Sequence, residues 1–333
     1  MLDLYQFGLN SNTNVAIRGG NDKTSYYTSL SYKKARSTSE KNTFERYSFL
    51  LKGSHKISDR VEVSAAMSFT NSNPKNSPRT VGERFVNPNG TIMTPMLDVN
   101  YFRDKYLGEH GGLASTSYGD KYGSVPGRDL FFMIDKYDYS QKETVVRPQM
   151  EVNVQILDWL RFKADATKFE EKQLGSGYAN EGGKYTMGQT TKEQATFGGT
   201  FTVNKQIQDF SVGGFARYEY YTSRSEAYKV YTDGGMVVPG QWFVDNSKNP
   251  KKSEASISNT KRMMSAVFAL NLGWKNQVYL DVTGRNDWSS SLVYQNGMGT
   301  YSYFYPSVSG SWLLNETFDL PHWITFAKVR GSW

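Results

Sequence analysis

Apolar and polar residues alternate along much of the chain with a period of two. In residues 61–69 every odd position is apolar, and three of the four even positions are polar. The same alternation recurs in residues 146–156, 160–167 and 264–274. Because successive side chains of a β-strand point to opposite faces of its sheet, this pattern predicts strands with one apolar and one polar face.

The number and length of these segments predict an all-β, antiparallel protein. We expect about twelve strands, the outer ones near residues 13–18 and 324–333. Each is expected to have about 9–11 residues, which is the length that a tilted strand needs to cross a bilayer. The sequence is therefore compatible with a transmembrane β-barrel.

The connections between these segments alternate in length. Short turns are expected at residues 19–22, 54–60, 158, 206–209 and 275–277. Long polar connections are expected at residues 35–43, 71–142, 170–190, 223–257 and 287–300. Short turns at one rim and long loops at the other are typical of outer-membrane barrels, in which the short turns face the periplasm. The residues beside the short turns include an aromatic set that would suit a membrane interface: Trp159, Phe210, Trp274 and Trp323.

A soluble sandwich or solenoid is the alternative, because its strands also have one buried and one solvated face. Period-two alternation alone does not distinguish the two. The alternation of turn lengths and the aromatic strand ends favour the barrel. So do small apolar residues on the apolar face, namely Ala65, Ala164, Ala166, Ala216 and Ala266.

Composition narrows the function classes. The apolar fraction of 38% is low for a 333-residue soluble protein, whereas the aromatic fraction of 15% suits β structure. The absence of cysteine and the presence of three histidines leave little for a metal site, and we expect neither metal nor cofactor. The net charge of +7 comes from basic residues interspersed with acidic ones, so nucleic-acid binding is not expected.

The sequence gives little support for a catalytic site. Arg285, Asp287 and Ser289 stand close together, but the sequence places no histidine or second carboxylate beside them. We expect them to form and cap a turn at the barrel rim, and we do not expect an enzyme.

Charged residues on the polar side of two predicted strands are candidates for a water-filled lumen. They alternate with the apolar residues of segments 146–156 and 160–167. These lumen-lining candidates are Arg147, Glu151, Arg161, Lys163 and Asp165. Hydrating the lumen and pairing with a plug domain is the favoured role, and substrate contact is the alternative.

The long connection at residues 71–142 is the expected functional loop, since loops beyond about 15 residues are usually functional or disordered. It is rich in aromatic residues, which can stack on sugar rings or anchor a partner protein. The candidates for contact with substrate or partner are Tyr101, Phe102, Tyr106, Phe131, Phe132, Tyr137 and Tyr139. Packing of these side chains within the loop itself is the alternative.

Several blocks resemble the SusC/RagA family of TonB-dependent outer-membrane transporters. Residues 19–32 (GGNDKTSYYTSLSY) look like the first barrel hairpin of that family, and residues 44–49 (FERYSF) look like its next strand. Residues 284–291 (GRNDWSSS) and 303–312 (YFYPSVSGSW) are similar to two of its signatures. The blocks keep the family order and are distributed from near the beginning to near the end of the chain.

The resemblance implies a barrel of about 22 strands that encloses a plug domain. It also implies a TonB box ahead of the plug. Neither plug nor TonB box is recognised here, so residues 1–333 are expected to form a partial barrel of about twelve strands, with the extracellular loop at about 71–142.

The implied function is import of a nutrient, a glycan or a peptide, across the outer membrane of a Gram-negative bacterium. The implied partners are a SusD-like surface lipoprotein, TonB acting through the plug, and outer-membrane lipid. The alternatives are a passive or differently gated outer-membrane porin and a soluble extracellular carbohydrate-binding β protein.

Overall fold

The computed structural model describes residues 6–76, 103, 105–106, 131, 134–135, 138–179, 184–238, 241–292 and 296–333. Within these ranges the chain forms one antiparallel sheet of twelve strands in simple sequence order. Each strand pairs with its neighbours in the chain, and β1 and β12 are the two ends of the order, so the sheet is open. The predicted all-β antiparallel fold and the number of strands are confirmed.

The strand bounds are β1 Leu9–Gly20, β2 Thr24–Arg36, β3 Thr43–Ser58, β4 Val61–Lys75, β5 Asp138–Leu157, β6 Leu160–Ala179, β7 Lys184–Ile207, β8 Phe210–Met236, β9 Ser247–Trp274, β10 Val278–Ser289, β11 Ser302–Leu313 and β12 Lys328–Ser332. Three short 3-10 helices lie at Val244–Asn246, Ser290–Leu292 and Leu314–Glu316.

The predicted strand length was wrong for most strands. β9 has 28 residues and β8 has 27, whereas the apolar alternation in them covers only about 9–11 residues. Much of residues 170–190 and 223–257, predicted as loops, is strand. The strands continue by backbone pairing after the apolar alternation ends, and a segment that is polar on both faces carries no period-two pattern.

The alternation of short and long connections is confirmed only in part, because residues 180–183 alone join β6 to β7. At the short-turn rim the connection from β11 to β12 spans residues 314–327, so Trp323 lies within a longer connection and not beside a short turn. At the short-turn rim, two residues connect β3 to β4, β5 to β6 and β7 to β8. In the turn between β1 and β2, the Asn21 side-chain oxygen accepts hydrogen bonds from the backbone N–H groups of Lys23 and Thr24, at 2.9 and 2.8 Å. At the opposite rim, β4 ends at residue 75 and β5 begins at residue 138, so the predicted loop at 71–142 contracts to residues 76–137. Most of this connection lies outside the described residues.

One side of the sheet carries a continuous band of apolar side chains, which we call the apolar face. The band consists of rows of residues in which each is the direct cross-strand partner of the next. One row begins at the β1 edge and contains Val15, Leu30, Phe49, Phe69 and Val146. A second row contains Phe162, Phe201, Ala216, Phe268 and Gly284. The rings of Phe162 and Phe201 are tilted by 42° with their centroids 4.7 Å apart, a favourable cross-strand pair.

No second layer of described residues covers this apolar face. Among those residues, the buried hydrophobic side chains are Phe131, Ile134 and Met236, which lie near the long-connection rim. Leu30, Met150 and many other large apolar side chains of the face are exposed. A soluble sandwich buries such a face against another sheet, so the described sheet lacks the core that a sandwich requires. Among the described residues, no helix is long and apolar enough to span a membrane.

Candidate functional site: the polar face

The opposite side of the same band, which we call the polar face, carries all five lumen-lining candidates. Arg147 and Glu151 occupy odd positions of β5, and Arg161, Lys163 and Asp165 occupy odd positions of β6. Glu151 and Asp165 are direct cross-strand partners. The period of two therefore brings charges that are distant in the sequence onto one surface.

Glu151 has partners on both its own strand and the next. Its carboxylate accepts a hydrogen bond from the Asn153 side-chain nitrogen at 2.6 Å. The Lys163 ammonium of β6 lies 3.6 Å from the other carboxylate oxygen. Both ionic side chains are about two-fifths exposed, at 38% each, so this pair contributes little to stability.

Arg217 of β8 is the centre of the most extensive group of contacts. Its two terminal nitrogens donate to the two carboxylate oxygens of Asp165, at 2.6 and 2.9 Å. It also donates to Glu219 at 2.8 Å and to the Thr200 hydroxyl at 3.0 Å. Arg217 and Asp165 have side chains only 22% and 20% exposed, so this two-pronged ion pair is shielded from water far better than the Glu151 pair.

The Arg217–Asp165 pair crosses an intervening strand at a glycine. In the register, Asp165 of β6 faces Gly198 of β7, and Gly198 faces Glu219 of β8. A Cβ atom built on Gly198 would lie 2.2 Å from a terminal nitrogen of Arg217. Absence of a side chain at Gly198 is therefore what lets the guanidinium lie over β7.

A second cluster lies two strands away. The Arg285 side chain donates to both carboxylate oxygens of Asp287, at 2.9 and 2.8 Å, and to the Ser265 hydroxyl at 3.1 Å. The Ser265 hydroxyl in turn donates to Asp287 at 2.5 Å, and Ser265 is only 1% exposed. The prediction that Arg285 and Asp287 form a rim turn was wrong, because both lie within β10 and face its polar side. Ser289 is the last residue of β10, and its hydroxyl accepts a hydrogen bond from the backbone N–H of Ser291 at 3.3 Å, so it caps the turn that follows.

These contacts belong to two parallel rows of charge that run across the strands. The carboxylate row follows the register through Glu151, Asp165, Gly198, Glu219, Ser265 and Asp287. The cation row lies two residues nearer the short turns and follows Lys163, Thr200, Arg217, Val267 and Arg285. Each cation therefore stands beside a carboxylate of its own or the adjoining strand.

Nothing in the local sequence pattern distinguishes Arg217, Glu219 or Ser265 from their polar neighbours. Their polar-face positions follow from the alternation in residues 212–220 and 264–274. Their pairing does not, because Arg217 and Asp165 are 52 positions apart and meet only through the register of three strands.

Two of the predicted lumen residues stand apart from the rows. The Arg147 guanidinium lies over the Phe169 ring, 5.0 Å from its centroid, on the side away from the short turns. Arg161 donates to the Gln155 side chain at 3.2 Å, close to the short-turn rim. Both guanidiniums therefore have local partners rather than a place in the ion-pair rows.

The predicted loop aromatics are only partly described. Tyr101, Phe102, Phe132 and Tyr137 lie outside the described residues. Phe131 is 3% exposed, with its ring 6.4 Å from that of Tyr106 and 4.8 Å from the Arg103 guanidinium carbon.

Two ion pairs fasten this part of the connection to the turn between β2 and β3. Arg103 pairs with Glu40 at 2.8 Å, and Lys41 pairs with Asp135 at 3.7 Å. Phe131 therefore packs within the rim. Tyr139 belongs to β5 and lines a cavity described below.

The described part of the polar face offers no cluster of ligands for a metal ion. Among the described residues, no group of three or more histidine, cysteine or acidic side chains could hold a metal ion. The side chains of the carboxylate row instead have arginine, lysine or neutral donors as partners.

The solved structures that share the fold of this chain include outer-membrane transporters. The RagAB peptide transporter is 18% identical with a TM-score of 0.69, and the match covers 95% of this chain and 35% of that chain. The RagAB peptide importer in the closed-closed state is 17% identical with a TM-score of 0.69, covering 99% and 37%. The outer membrane transporter YddB from Escherichia coli is 10% identical with a TM-score of 0.53, covering 92% and 36%.

Comparisons of sequence, unlike those of structure, find no related protein. No protein-family model matches the chain, and no curated protein matches it significantly. The chain spans about a third of the length of the RagAB structures. Its twelve antiparallel strands therefore have the fold of part of an outer-membrane transporter barrel.

Proposed function

We propose that this chain forms part of the barrel wall of a TonB-dependent outer-membrane importer of the SusC/RagA type. Its apolar face lies against lipid, and its polar face lines the lumen. The importer works with a SusD-like surface lipoprotein, and it takes up a nutrient that is a glycan or a peptide. The likeness to solved structures supports the barrel fold. The sequence blocks that resemble the SusC/RagA family support this particular kind of importer.

The observation that carries the proposal is the opposite character of the two faces over one band of the sheet. Apolar side chains continue strand by strand on one face, and ion-paired side chains follow the same strands on the other. The band begins at the short turns and spans about 9–11 residues, which matches the hydrocarbon thickness for tilted strands. Phe210 and Trp274 pair at its short-turn border, where an interfacial aromatic girdle belongs.

The soluble carbohydrate-binding alternative is disfavoured by the uncovered apolar face. Exposed apolar patches larger than a few hundred Å² are rare on soluble monomers. A porin with different gating has the same two faces, and it differs from the proposed importer in needing neither plug nor TonB.

The ion-pair rows suit a surface that contacts a plug domain. The pairs give each charge of the two rows a partner of opposite sign, and polar atoms that stay exposed are available to groups that the plug would present. Arg147, Glu151, Arg161, Lys163 and Asp165 then serve the wall and the plug interface rather than substrate recognition. Phe131 packs within the rim, and the other loop aromatics keep their proposed role in contact with the lipoprotein or substrate.

The test uses the full-length gene product in its own bacterium. We expect it in the outer-membrane fraction as a heat-modifiable band on a gel, and we expect a surface lipoprotein to co-purify with it from detergent. Uptake of its nutrient should stop when TonB is deleted.

Two results would contradict the proposal in different ways. A soluble product without heat modifiability would favour the carbohydrate-binding protein. A heat-modifiable barrel whose uptake continues at the same rate without TonB would favour the porin. A deletion of an unrelated outer-membrane porin serves as the control for general permeability.

A further inference from the structure

A cavity of about 750 Å³ lies on the polar-face side of β5 to β9, beyond the apolar band and towards the long-connection rim. Its volume falls within the range of small-ligand sites, about 300–1,000 Å³. In the register, its central row follows Gln141, Gly175, Gly188, Lys229 and Glu254. The two glycines are direct partners, so the floor there is bare backbone.

A tyrosine lies flat on one end of this floor. A Cβ atom built on Gly177 would lie 2.9 Å from Cδ2 of Tyr139, and one built on Gly175 would lie 3.5 Å from the Tyr139 hydroxyl. The ring therefore packs against the two glycines, and Tyr139 lines the cavity. A flat aromatic ring in this position is a stacking surface for a planar or ring-shaped ligand.

The charges around the cavity cancel. Asp138 and Glu254 are matched in number by Lys184 and Lys229 among the lining residues. Lys229 and Glu254 pair at 3.0 Å, and the hydrogen bond from Lys229 holds the pKa of the Glu254 carboxyl below its usual value. The Lys184 ammonium lies over the Tyr231 ring, 4.4 Å from the centroid. A strongly ionic ligand would find no excess of opposite charge here.

Neutral hydrogen-bonding groups remain uncommitted. Among the described residues, the side-chain amide nitrogen of Gln141 and the hydroxyls of Thr186, Thr190 and Ser256 make no hydrogen bond, and all four residues line the cavity. Amide and hydroxyl groups both donate and accept, which suits a ligand that presents many hydroxyls.

The backbone groups of the cavity floor are already hydrogen-bonded within the sheet. Residues of β7 and β8 across the cavity are paired in continuous ladders on both sides. A peptide that binds by strand addition needs an unpaired edge, and the cavity provides none.

From this combination we infer that the cavity binds a neutral oligosaccharide, with the Tyr139 ring stacking on a sugar and Gln141, Thr186, Thr190 and Ser256 binding its hydroxyls. The inference rests on the proposed importer, because the cavity lies on the wall above the membrane band, where a nutrient would enter. It narrows the proposed nutrient from a glycan or peptide to a glycan.

The experiment compares three classes of probe on the full-length protein, purified in detergent with whatever partner co-purifies. The probes are an array of neutral oligosaccharides, an array of oligosaccharides that contain uronic acids, and a random heptapeptide library. Binding of the best neutral oligosaccharide is then measured by titration calorimetry for the parent and for each variant.

Two variants attack the site in different ways. Tyr139→Ala removes the stacking ring and is expected to weaken binding about tenfold or more. Ala227→Trp fills the cavity from β8 without removing a proposed contact and should abolish binding. Tyr185→Ala is the matched control, because Tyr185 lies in β7 between the lining residues Lys184 and Thr186 but on the opposite side of the sheet. Its affinity should stay within about twofold of the parent.

The inference is overturned if acidic oligosaccharides or peptides bind in preference, if no neutral oligosaccharide binds, or if Ala227→Trp leaves binding unchanged. Should Tyr139→Ala lose its heat-modifiable band, the filled-cavity variant decides the matter. The proposed importer is tested separately by outer-membrane location and TonB dependence, so either proposal can fail while the other stands.

Discussion

Replacing Leu270 by arginine is expected to destabilise the assembled wall severely, whereas replacing the next residue, Asn271, by arginine is expected to be tolerated. Leu270 lies within the apolar stretch of β9, opposite Gly214 and Val282 on the apolar face. An arginine facing lipid near the bilayer midplane costs about 2–4 kcal/mol. Asn271 lies on the polar face, where its side chain donates to Asp281 at 2.6 Å, so an arginine there gains a carboxylate partner.

The comparison is made on the full-length protein, by the amount of heat-modifiable barrel in the outer membrane. Guanidinium unfolding of the purified proteins in liposomes provides the energetic scale. The two variants add the same side chain at adjacent positions, so a difference between them reports the face alone. Equal loss for both, or loss only for Asn271→Arg, would contradict the assignment of the faces.

Replacing Arg217 by glutamine is expected to cost about 1–3 kcal/mol, because it leaves two poorly exposed carboxylates without their cation. Arg217→Lys should recover only part of this loss, since an ammonium cannot bind both oxygens of Asp165 in the two-pronged arrangement. Lys34→Gln is the control, because Lys34 pairs with Glu45 at 3.5 Å with 66% of its side chain exposed. That change should cost less than about 1 kcal/mol.

Substitutions at two adjacent glycines test the Arg217–Asp165 ion pair without removing a charge. Gly198→Ala places a methyl group where the Arg217 guanidinium lies, and it should cost about 1–2 kcal/mol in guanidinium unfolding. In Gly199→Ala the new methyl would lie 3.5 Å from the Phe162 ring, an ordinary contact, so stability should change by less than about 0.5 kcal/mol. If both alanines behave alike, the close approach over Gly198 is not needed for the ion pair.

The faces of the sheet could be predicted from the sequence because each depends only on local alternation. Residues 264–274 show this plainly, since their even positions are the apolar face of β9. The short turns followed from the same logic, because each separates two stretches of alternating residues. Sequence blocks that resemble the SusC/RagA family pointed to the same kind of barrel as the structural comparison.

The strand ends and the ion pairs could not be predicted, for two physical reasons. The apolar side of β6 becomes charged at Lys168, Glu170 and Lys172, so residues from 170 onwards were predicted as a loop although backbone pairing with β7 continues to residue 179. The contact of Arg217 with Asp165 depends on a glycine in the strand between them, which the composition of either segment does not reveal. The cavity likewise arises from glycines of two strands that meet only in the folded register.

The most direct test of the central claim is the accessibility of β9 residue by residue in a bilayer. The 333 residues contain no cysteine, so single cysteines at positions 264–274 can each carry a nitroxide label once any cysteine elsewhere in the full-length protein is replaced. We expect collisions with lipid-dissolved oxygen to peak at the even positions and collisions with a water-soluble nickel chelate to peak at the odd ones. Even positions shielded from both reagents would show that protein, not lipid, covers the apolar face, and would contradict the account.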